Sequence, residues 1–331
     1  MKKRRVELMG LDFSVLGFGC WSISGPRVWN TSTDEKSAQA INTALELGIN
    51  FFDVAPVYGF GHSEEVLGAV LGNRRKDILI GTKCGLIWDD SNRISRCLKR
   101  ESVLREIDDS LKRLRTDYVD LYQIHWPDES TPIEETMEAL VKIKESGKIR
   151  HIGISNFSAH RAELAMKIAP IVSNQNLYNM IQRNSDNYHG ISLEYRTEDE
   201  IIPFCKTHSQ AFLPYSPLCQ GLLSERSKNG LEFDSNDIRS NNPELKGEKL
   251  KANLQIVDRL RTVAQRIGRP LNQLALNWIL HNRTVTCILA GTSNAKDLQD
   301  NVDGLEWELD DQIVAEINSI LREESRITEN K

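Results

Sequence analysis

Four residues that can carry or stabilise a proton follow three apolar runs of the sequence. Asp53 ends the first run and Tyr58 lies just beyond Pro56, while Lys83 and His125 end the second and third runs. A buried strand is an unfavourable place for a carboxylate unless a cation or hydrogen-bond donors meet it. If the three runs are parallel neighbouring strands, the four side chains meet at one edge of the sheet, which is an arrangement for proton transfer.

The types of these four residues indicate which group would donate or accept the proton. A tyrosine phenol has a pKa of ~10 in water and is a weak acid at neutral pH, whereas a neighbouring ammonium such as Lys83 stabilises the phenolate and lowers that pKa. Asp53 would hold the lysine charged and oriented, so Tyr58 is predicted to be a general acid or base. His125 is predicted to orient a carbonyl oxygen by a hydrogen bond. Residues 153–157 lack the closing glycine of a nucleophile elbow, so we predict proton delivery to a carbonyl, which needs a hydride source.

Strand-like and helix-like patterns alternate along the chain and provide the elements that must position these residues. Residues 5–8 and 13–16 read as a short hairpin. Thr33 and Ser63 are predicted to cap two of the helices that follow. The predicted strands are residues 17–21, a run beginning at Phe51, and residues 78–84, 118–125, 149–155, 171–176, 211–215 and 286–290.

Eight strand and helix units in uniform alternation predict parallel strands and favour a closed barrel. The predicted fold class is α/β, a (β/α)8 TIM barrel with an N-terminal β-hairpin and additional helices. No change in composition marks a linker, so residues 1–331 are expected to form a single barrel domain. In such barrels active sites lie at the C-terminal ends of strands, where Asp53, Lys83 and His125 fall. The polar stretch 216–248 is predicted to be a long loop of a kind that is often functional.

Composition excludes several classes of protein. The net charge is −5 with both signs interspersed, so no basic face for nucleic acid is expected. Glu7 and Asp12 interrupt any signal-peptide core, and no run approaches the ~18 apolar residues of a membrane span. We therefore expect a cytoplasmic protein without a membrane partner. The six cysteines have no zinc spacing, so reduced thiols and no metal are expected.

These residues and several further motifs resemble the aldo-keto reductases. The similarity extends from about Val6 to Leu309, with the motifs in family order. The positions that match the catalytic tetrad of that family are Asp53, Tyr58 before Gly59, Lys83 in Gly-Thr-Lys, and His125 in Ile-His. The other matching motifs are Gly-Ile-Ser-Asn-Phe at 153–157, Asn-Gln-x-x-Tyr-Asn at 174–179, Tyr-Ser-Pro-Leu at 215–218 and Gly-Leu-Leu at 221–223.

The resemblance implies an NAD(P)H-dependent carbonyl reductase (EC 1.1.1.-) in which the tyrosine protonates the oxygen and the nicotinamide delivers hydride to the carbon. The barrel would bind the cofactor without a Rossmann fingerprint, since the third glycine is missing after Gly17 and Gly19. Tyr215 is expected to stack on the nicotinamide. The cofactor-binding residues implied are Gly19, Cys20, Trp21, Asp53, Ser155, Asn156, Gln175, Tyr215, Ser216, Pro217, Leu218, Gln220, Gly221, Leu223, Gly291, Thr292, Ser293, Asn294, Asp297 and Asn301.

The segment Thr292, Ser293 and Asn294 departs from the pattern of the family, in which many members carry Lys or Arg to hold the 2′-phosphate of NADP. Hydroxyls and the amides of a helix N-terminus can take their place. We therefore expect NADPH to be preferred by a modest margin, with NADH as the alternative cofactor.

The expected substrate is a small aldehyde, ketone or sugar. The residues expected to line its pocket are Trp21, Tyr58, Trp88, His125 and Trp126, and none of them requires a charged substrate. Two alternatives stay open, which are a cofactor-binding regulatory subunit of the potassium-channel β type and a deoxysugar-pathway ketoreductase. The absence of an extension before the hairpin favours the free enzyme. The sequence carries no signal for the oligomeric state.

Overall fold

Eight parallel strands form one continuous sheet at the centre of the molecule. The computed structural model describes residues 1–26, 28–29, 32–234, 237–292 and 294–329. The two edge strands of the sheet meet, because the amides of Thr286 and Leu289 donate to the carbonyl oxygens of Phe212 and Pro214 at 2.9 Å each. The predicted closed barrel is thus confirmed. Its strands are β1 (Leu16–Gly19), β2 (Phe51–Asp53), β3 (Leu79–Cys84), β4 (Val119–Ile124), β5 (Ile149–Ser155), β6 (Ser173–Gln175), β7 (Ala211–Phe212) and β8 (Ile288–Ala290).

Helices on the outside of the barrel bury their apolar faces against the strands. The side chain of Thr33 accepts a hydrogen bond from the Lys36 amide, so the predicted cap of the first helix is confirmed. The predicted cap at Ser63 is wrong, because Gly61 occupies the N-cap and the Ser63 hydroxyl donates to the carbonyl oxygen of Cys20 at 3.0 Å. The helices are α1 (Asp34–Glu46), α2 (His62–Leu71), α3 (Arg100–Leu114), α4 (Ile133–Glu145), α5 (Ala159–Met166), α6 (Ile202–Thr207), α7 (Gly247–Arg266), α8 (Leu271–His281), α9 (Ala295–Asp303) and α10 (Asp311–Glu329).

A separate apolar cluster that includes Phe51 fills the interior of the barrel. The ring of Phe51 lies so close to the neighbouring strand that a Cβ on Gly81 would be 2.8 Å from it. A glycine at this position therefore allows the large aromatic ring to occupy the barrel interior. Asp53 follows two residues later and points to the same side of the strand, at the C-terminal end.

The N-terminal hairpin closes the opposite end of the barrel. Lys3–Val6 pairs with Leu11–Ser14, and Phe13 packs on Phe51 with ring centroids 4.8 Å apart. The hairpin was predicted two residues too late along the chain. Its turn starts at Val6, whose carbonyl accepts from the amides of residues 9 and 10, so residue 16 is left to begin β1.

Two small ribbons and a series of turns surround the C-terminal ends of the strands. One ribbon pairs Leu86–Trp88 with Ile94–Arg96, and the other pairs Asn187–Tyr188 with Ile191–Ser192. Neither ribbon was predicted. The predicted polar loop 216–248 contains short 3-10 turns, and α7 begins within it at its last residues. In the described ranges, no helix has the length and apolar character needed to cross a membrane.

Candidate active site

The ammonium of Lys83 joins two of the predicted residues. Its Nζ donates to both carboxylate oxygens of Asp53 at 2.9 and 2.8 Å, to the carbonyl oxygen of Val54 at 3.1 Å and to the hydroxyl of Tyr58 at 3.3 Å. Asp53 lies beside Gly81 in the register of β2 and β3, so a lysine two residues further along β3 reaches the same side. Lys83 is fully buried and Asp53 is 3% exposed, so the two opposite charges, which are largely removed from solvent, compensate each other.

Two amides complete the surroundings of the Asp53 carboxylate. Gln175 on β6 donates from Nε2 to Oδ1 at 2.8 Å, and Gln123 on β4 donates to the same oxygen at 3.4 Å. Gln175 was predicted to contact the cofactor. In the structure its side-chain amide holds the carboxylate of Asp53 in place. Gln123 was not predicted, because an isolated glutamine inside an apolar strand carries no chemical signal in the sequence.

A tight turn after β2 presents Tyr58. Gly59 has φ of 66°, and a Cβ at this position would lie 2.2 Å from the carbonyl oxygen of Ser24, so only glycine fits the turn. Burial raises the pKa of Tyr58 well above 10, and the charge of Asp53 raises it further. The pKa of Tyr58 in the free protein is thus raised overall, and the tuning of this pKa by Lys83 stays a prediction. The phenol consequently keeps its proton at neutral pH.

His125 lies against the tyrosine at the end of β4. The two rings are 5.9 Å apart in a T-shaped arrangement, and the His125 amide donates to the carbonyl oxygen of Cys84 at 3.0 Å. Burial lowers the pKa of His125 well below 6.5, and the charge of Lys83 lowers it further. The imidazole is therefore neutral near pH 7 and has one N–H to donate.

A cavity of about 1600 Å³ opens at this end of the barrel and extends to the start of α9. Four predicted residues do not line it, which are the buried Lys83 and also Cys20, Leu223 and Trp88. The side chains of Cys20 and Leu223 are fully buried, and Trp88 instead packs on Phe60 with ring centroids 5.7 Å apart. Ser293 lies outside the described residues. The predicted residues that do line the cavity are Gly19, Trp21, Asp53, Tyr58, His125, Trp126, Ser155, Asn156, Gln175, Tyr215, Ser216, Pro217, Leu218, Gln220, Gly221, Gly291, Thr292, Asn294, Asp297 and Asn301.

One side of this cavity is polar and suits an extended dinucleotide. Near the tetrad, Asn156 accepts through Oδ1 from the hydroxyl of Tyr215 at 2.8 Å, which fixes both groups at the wall. At the far end, Asn294 caps α9 by accepting from the amide of Lys296 at 2.9 Å. The N-terminus of this helix favours an anion. Between these ends, the backbones of Gly19 and Gly291 approach each other closely, and a Cβ added to Gly291 would lie 2.4 Å from the carbonyl oxygen of Gly19.

The opposite side of the cavity was missed by the sequence reasoning. It is formed by the ribbons, which contribute Leu86, Ile94, Arg96 and Ile191, and by Arg239 from the long loop. The apolar run 86–88 and the residues 94–96, separated by a turn rich in Asp, Ser and Asn, are the signal that identifies the first ribbon. Each strand has only three residues, so the pattern is short.

Comparisons with known proteins agree with this geometry. Residues 15–322 match the Aldo/keto reductase family. The chain is 34% identical to Aldo-keto reductase YhdN of Bacillus subtilis, covering 94% of this chain and 91% of that one. It is 30% identical to the NADH-specific methylglyoxal reductase of Escherichia coli, covering 94% and 95%. It is also 30% identical to a probable voltage-gated potassium channel subunit beta of Oryza sativa, covering 100% and 99%.

A solved structure shows the same fold. The glycerol dehydrogenase of Gluconobacter oxydans superposes with a TM-score of 0.85 and 31% sequence identity, covering 97% of this chain and 95% of that chain.

Proposed function

This chain belongs to the Aldo/keto reductase family, and we propose that it reduces the carbonyl group of an aldehyde, ketone or sugar to the alcohol with a nicotinamide cofactor. We further propose that residues 1–331 act as one catalytic domain. The observation that most supports this function is the buried ammonium of Lys83, which donates at once to both oxygens of Asp53 and to the hydroxyl of Tyr58. Such a grouping stabilises the phenolate that forms when the tyrosine donates its proton.

Tyr58 is the proposed general acid. Its phenol is protonated before the reaction, because burial raises its pKa, so it has a proton to donate to the carbonyl oxygen. The negative charge left on its oxygen would form 3.3 Å from the Lys83 ammonium, and Asp53 holds that ammonium in place. A preorganised cation at the position where charge develops lowers the barrier without a reorganisation cost. The neutral imidazole of His125 donates its N–H to the same carbonyl oxygen and orients it.

The cofactor is proposed to lie along the polar side of the cavity. Ser155, Asn156 and Tyr215 would hold its nicotinamide end, and Thr292 and Asn294 its adenosine end. When bound, the reduced nicotinamide supplies the hydride that the carbonyl carbon accepts. The hydroxyl, amide and helix N-terminus groups of this wall match the polar parts of a dinucleotide, which supports the assignment.

A tyrosine substitution tests the proposal. Tyr58→Phe removes the acidic proton but keeps the ring, so we expect kcat to fall by ~10²-fold or more. NADPH affinity, followed by protein fluorescence, should stay close to wild type. Tyr118→Phe is the matched control, because the Tyr118 ring lies between the guanidinium groups of Arg75 and Arg150, away from the cavity. Near wild-type turnover in Tyr58→Phe would overturn the assignment.

We propose NADPH as the preferred cofactor, by a modest margin. The phosphate-binding end has hydroxyls, helix amides and Lys296, which lines the cavity and has no ion pair among the described residues. Neutral hydrogen bonds contribute only ~0.5–1.5 kcal/mol each, so the margin over NADH should be small. Lys296→Met should weaken NADPH binding several-fold and leave NADH binding nearly unchanged, as measured by titration of each cofactor. Tighter binding of NADH than NADPH by the wild type would contradict this preference.

A regulatory role of the potassium-channel β type is the second candidate. It is favoured by the full-length similarity to the Oryza sativa protein named as such a subunit. A panel of aldehydes, ketones and sugars, including deoxysugar ketones, separates the two functions. Cofactor binding by the wild type without turnover of any member of the panel would favour the regulatory role.

A further inference from the structure

A positively charged side chain lies in the wall of the cavity close to the candidate tetrad. Arg96 is the last residue of the strand Ile94–Arg96 and lines the cavity. Its Cζ is 5.1 Å from the centroid of the Trp126 ring, and its Nη1 donates to the carbonyl oxygen of Pro127 at 3.1 Å. Trp126 directly follows His125. The guanidinium is therefore held within reach of a molecule whose carbonyl group contacts His125.

Arg96 differs from the other arginines of the cavity in having no carboxylate partner among the described residues. Arg226 is paired with Asp297, and Arg239 is paired with Asp237 at 2.7 Å. The carboxylate of Glu194, whose charge acts on Arg96, is already bonded by Arg161 at 2.7 Å. The Arg96 charge is thus available to a ligand in the cavity.

The surface beside Arg96 is apolar and exposed. Ile94, on the same strand, is 52% exposed, and Ile191 on the second ribbon is 39% exposed. Both line the cavity, together with Phe60 and Leu86. A group of exposed apolar side chains at the mouth of a cavity is typical of a surface that a ligand covers.

We propose that this wall binds a substrate with two chemical parts, an apolar body that covers the isoleucines and an anionic group that pairs with Arg96. The planar guanidinium matches a carboxylate or a phosphate, each of which takes two parallel N–H donors. The proposal deepens the carbonyl reductase function and rests on it for the reaction, but not for the binding. It adds Arg96 to the predicted pocket residues, none of which by itself requires a charged substrate.

Binding of a molecule that cannot be reduced tests the Arg96 site by itself. Titration calorimetry compares 4-methylbenzoate with the neutral 4-methylbenzamide. We expect the wild type to bind the carboxylate about tenfold more tightly, Arg96→Gln to lose this preference, and Arg96→Lys to keep part of it. Arg93→Gln is the matched control, because Arg93 lies on the same ribbon turn, is 82% exposed and pairs with Asp89. Equal affinities in the wild type, or an unchanged preference in Arg96→Gln, would overturn the proposal.

Steady-state kinetics then test the anion site separately from the reductase function. They also show whether a carboxylate or a phosphate is preferred. The substrates are 4-formylbenzoate, 4-formylphenyl phosphate and the neutral methyl 4-formylbenzoate. We expect kcat/KM to be higher for at least one anionic aldehyde than for the ester. The ratio of kcat/KM for that anionic aldehyde to kcat/KM for the ester should fall about tenfold in Arg96→Gln, through a higher KM for the anionic aldehyde. The anion with the larger ratio is the favoured class. A ratio of one in the wild type overturns the anion site. Failure to reduce any of the three, together with no turnover of the panel of aldehydes, ketones and sugars, contradicts the reductase function, while the calorimetric comparison still decides the role of Arg96.

Discussion

Lys83→Met should destabilise the protein by leaving a carboxylate buried without its cation. Asp53 is 3% exposed, and in the variant its remaining donors are Gln175 at 2.8 Å and Gln123 at 3.4 Å. Removing one partner of a buried ion pair typically costs about 3–5 kcal/mol. Hydrogen bonds to a charged acceptor contribute roughly 1.5–3 kcal/mol each, so the two glutamines should keep the loss near the lower limit, about 3 kcal/mol.

A second substitution distinguishes the buried charge from lost packing. In the variant that combines Asp53→Asn with Lys83→Met, no charge is left behind, and the asparagine Oδ1 can still accept from Gln175. We expect the double variant to be more stable than Lys83→Met alone by about 2 kcal/mol, which makes the two substitutions strongly non-additive. Urea unfolding followed by circular dichroism measures each free energy of unfolding. If the losses of the two single variants add in the double variant, the reasoning from the buried ion pair is refuted.

Two further predictions concern positions outside the cavity. Burial raises the pKa of Glu106 to about 7 from its usual 4.5, so this carboxyl contributes stability that is present below pH 4.5 and is lost as the pH rises to about 7. Relative to wild type, Glu106→Gln should therefore gain up to about 1.4 kcal/mol per pH unit across that interval, and a pH-independent difference in urea unfolding would contradict this. A Cβ at Gly68 would lie 2.6 Å from the backbone of Leu114. Gly68→Ala should lower the free energy of unfolding by about 1–3 kcal/mol despite a better helix propensity, and a rise in Tm would show that α2 and α3 do not pack so closely.

Most of the eight strands were predictable because they are short apolar runs with a helical pattern after them. Strands that are buried on both faces need apolar residues at nearly every position, and that requirement is visible in the chain itself. The Thr33 cap was predictable because it is also local: the Thr33 hydroxyl accepts from an amide only three residues away. The position of the Ser63 side chain was not, because its partner is the carbonyl oxygen of Cys20, which lies 43 residues earlier in the chain.

In the candidate site, too, some features were predictable from the sequence and others were not. Asp53, Tyr58, Lys83 and His125 could be singled out because parallel strands place their C-terminal ends at one rim, whatever the details of packing. The structure brings these residues together, and their catalytic roles stay predictions for the variants described above. The effect of burial on the pKa of Tyr58 was not predictable, since desolvation depends on every neighbour of the ring, and here it is the largest cause of the upward shift.

The sequence by itself determined the order of the elements, the closed barrel and the rim on which the proton-carrying residues lie, because these depend on patterns between near neighbours. Only the tertiary structure decided how Gln123 and Gln175 share the Asp53 carboxylate, and which arginines of the cavity have partners. Arg96 and Arg239 are both arginines on polar segments of the chain. Arg239 bonds to Asp237 two residues away, whereas Arg96 is turned onto Trp126 by a ribbon. The physical reason is that a local pair such as Arg239 and Asp237 can form within one loop, whereas the surroundings of Arg96 depend on residues far apart in the chain, and folding alone sets those distances.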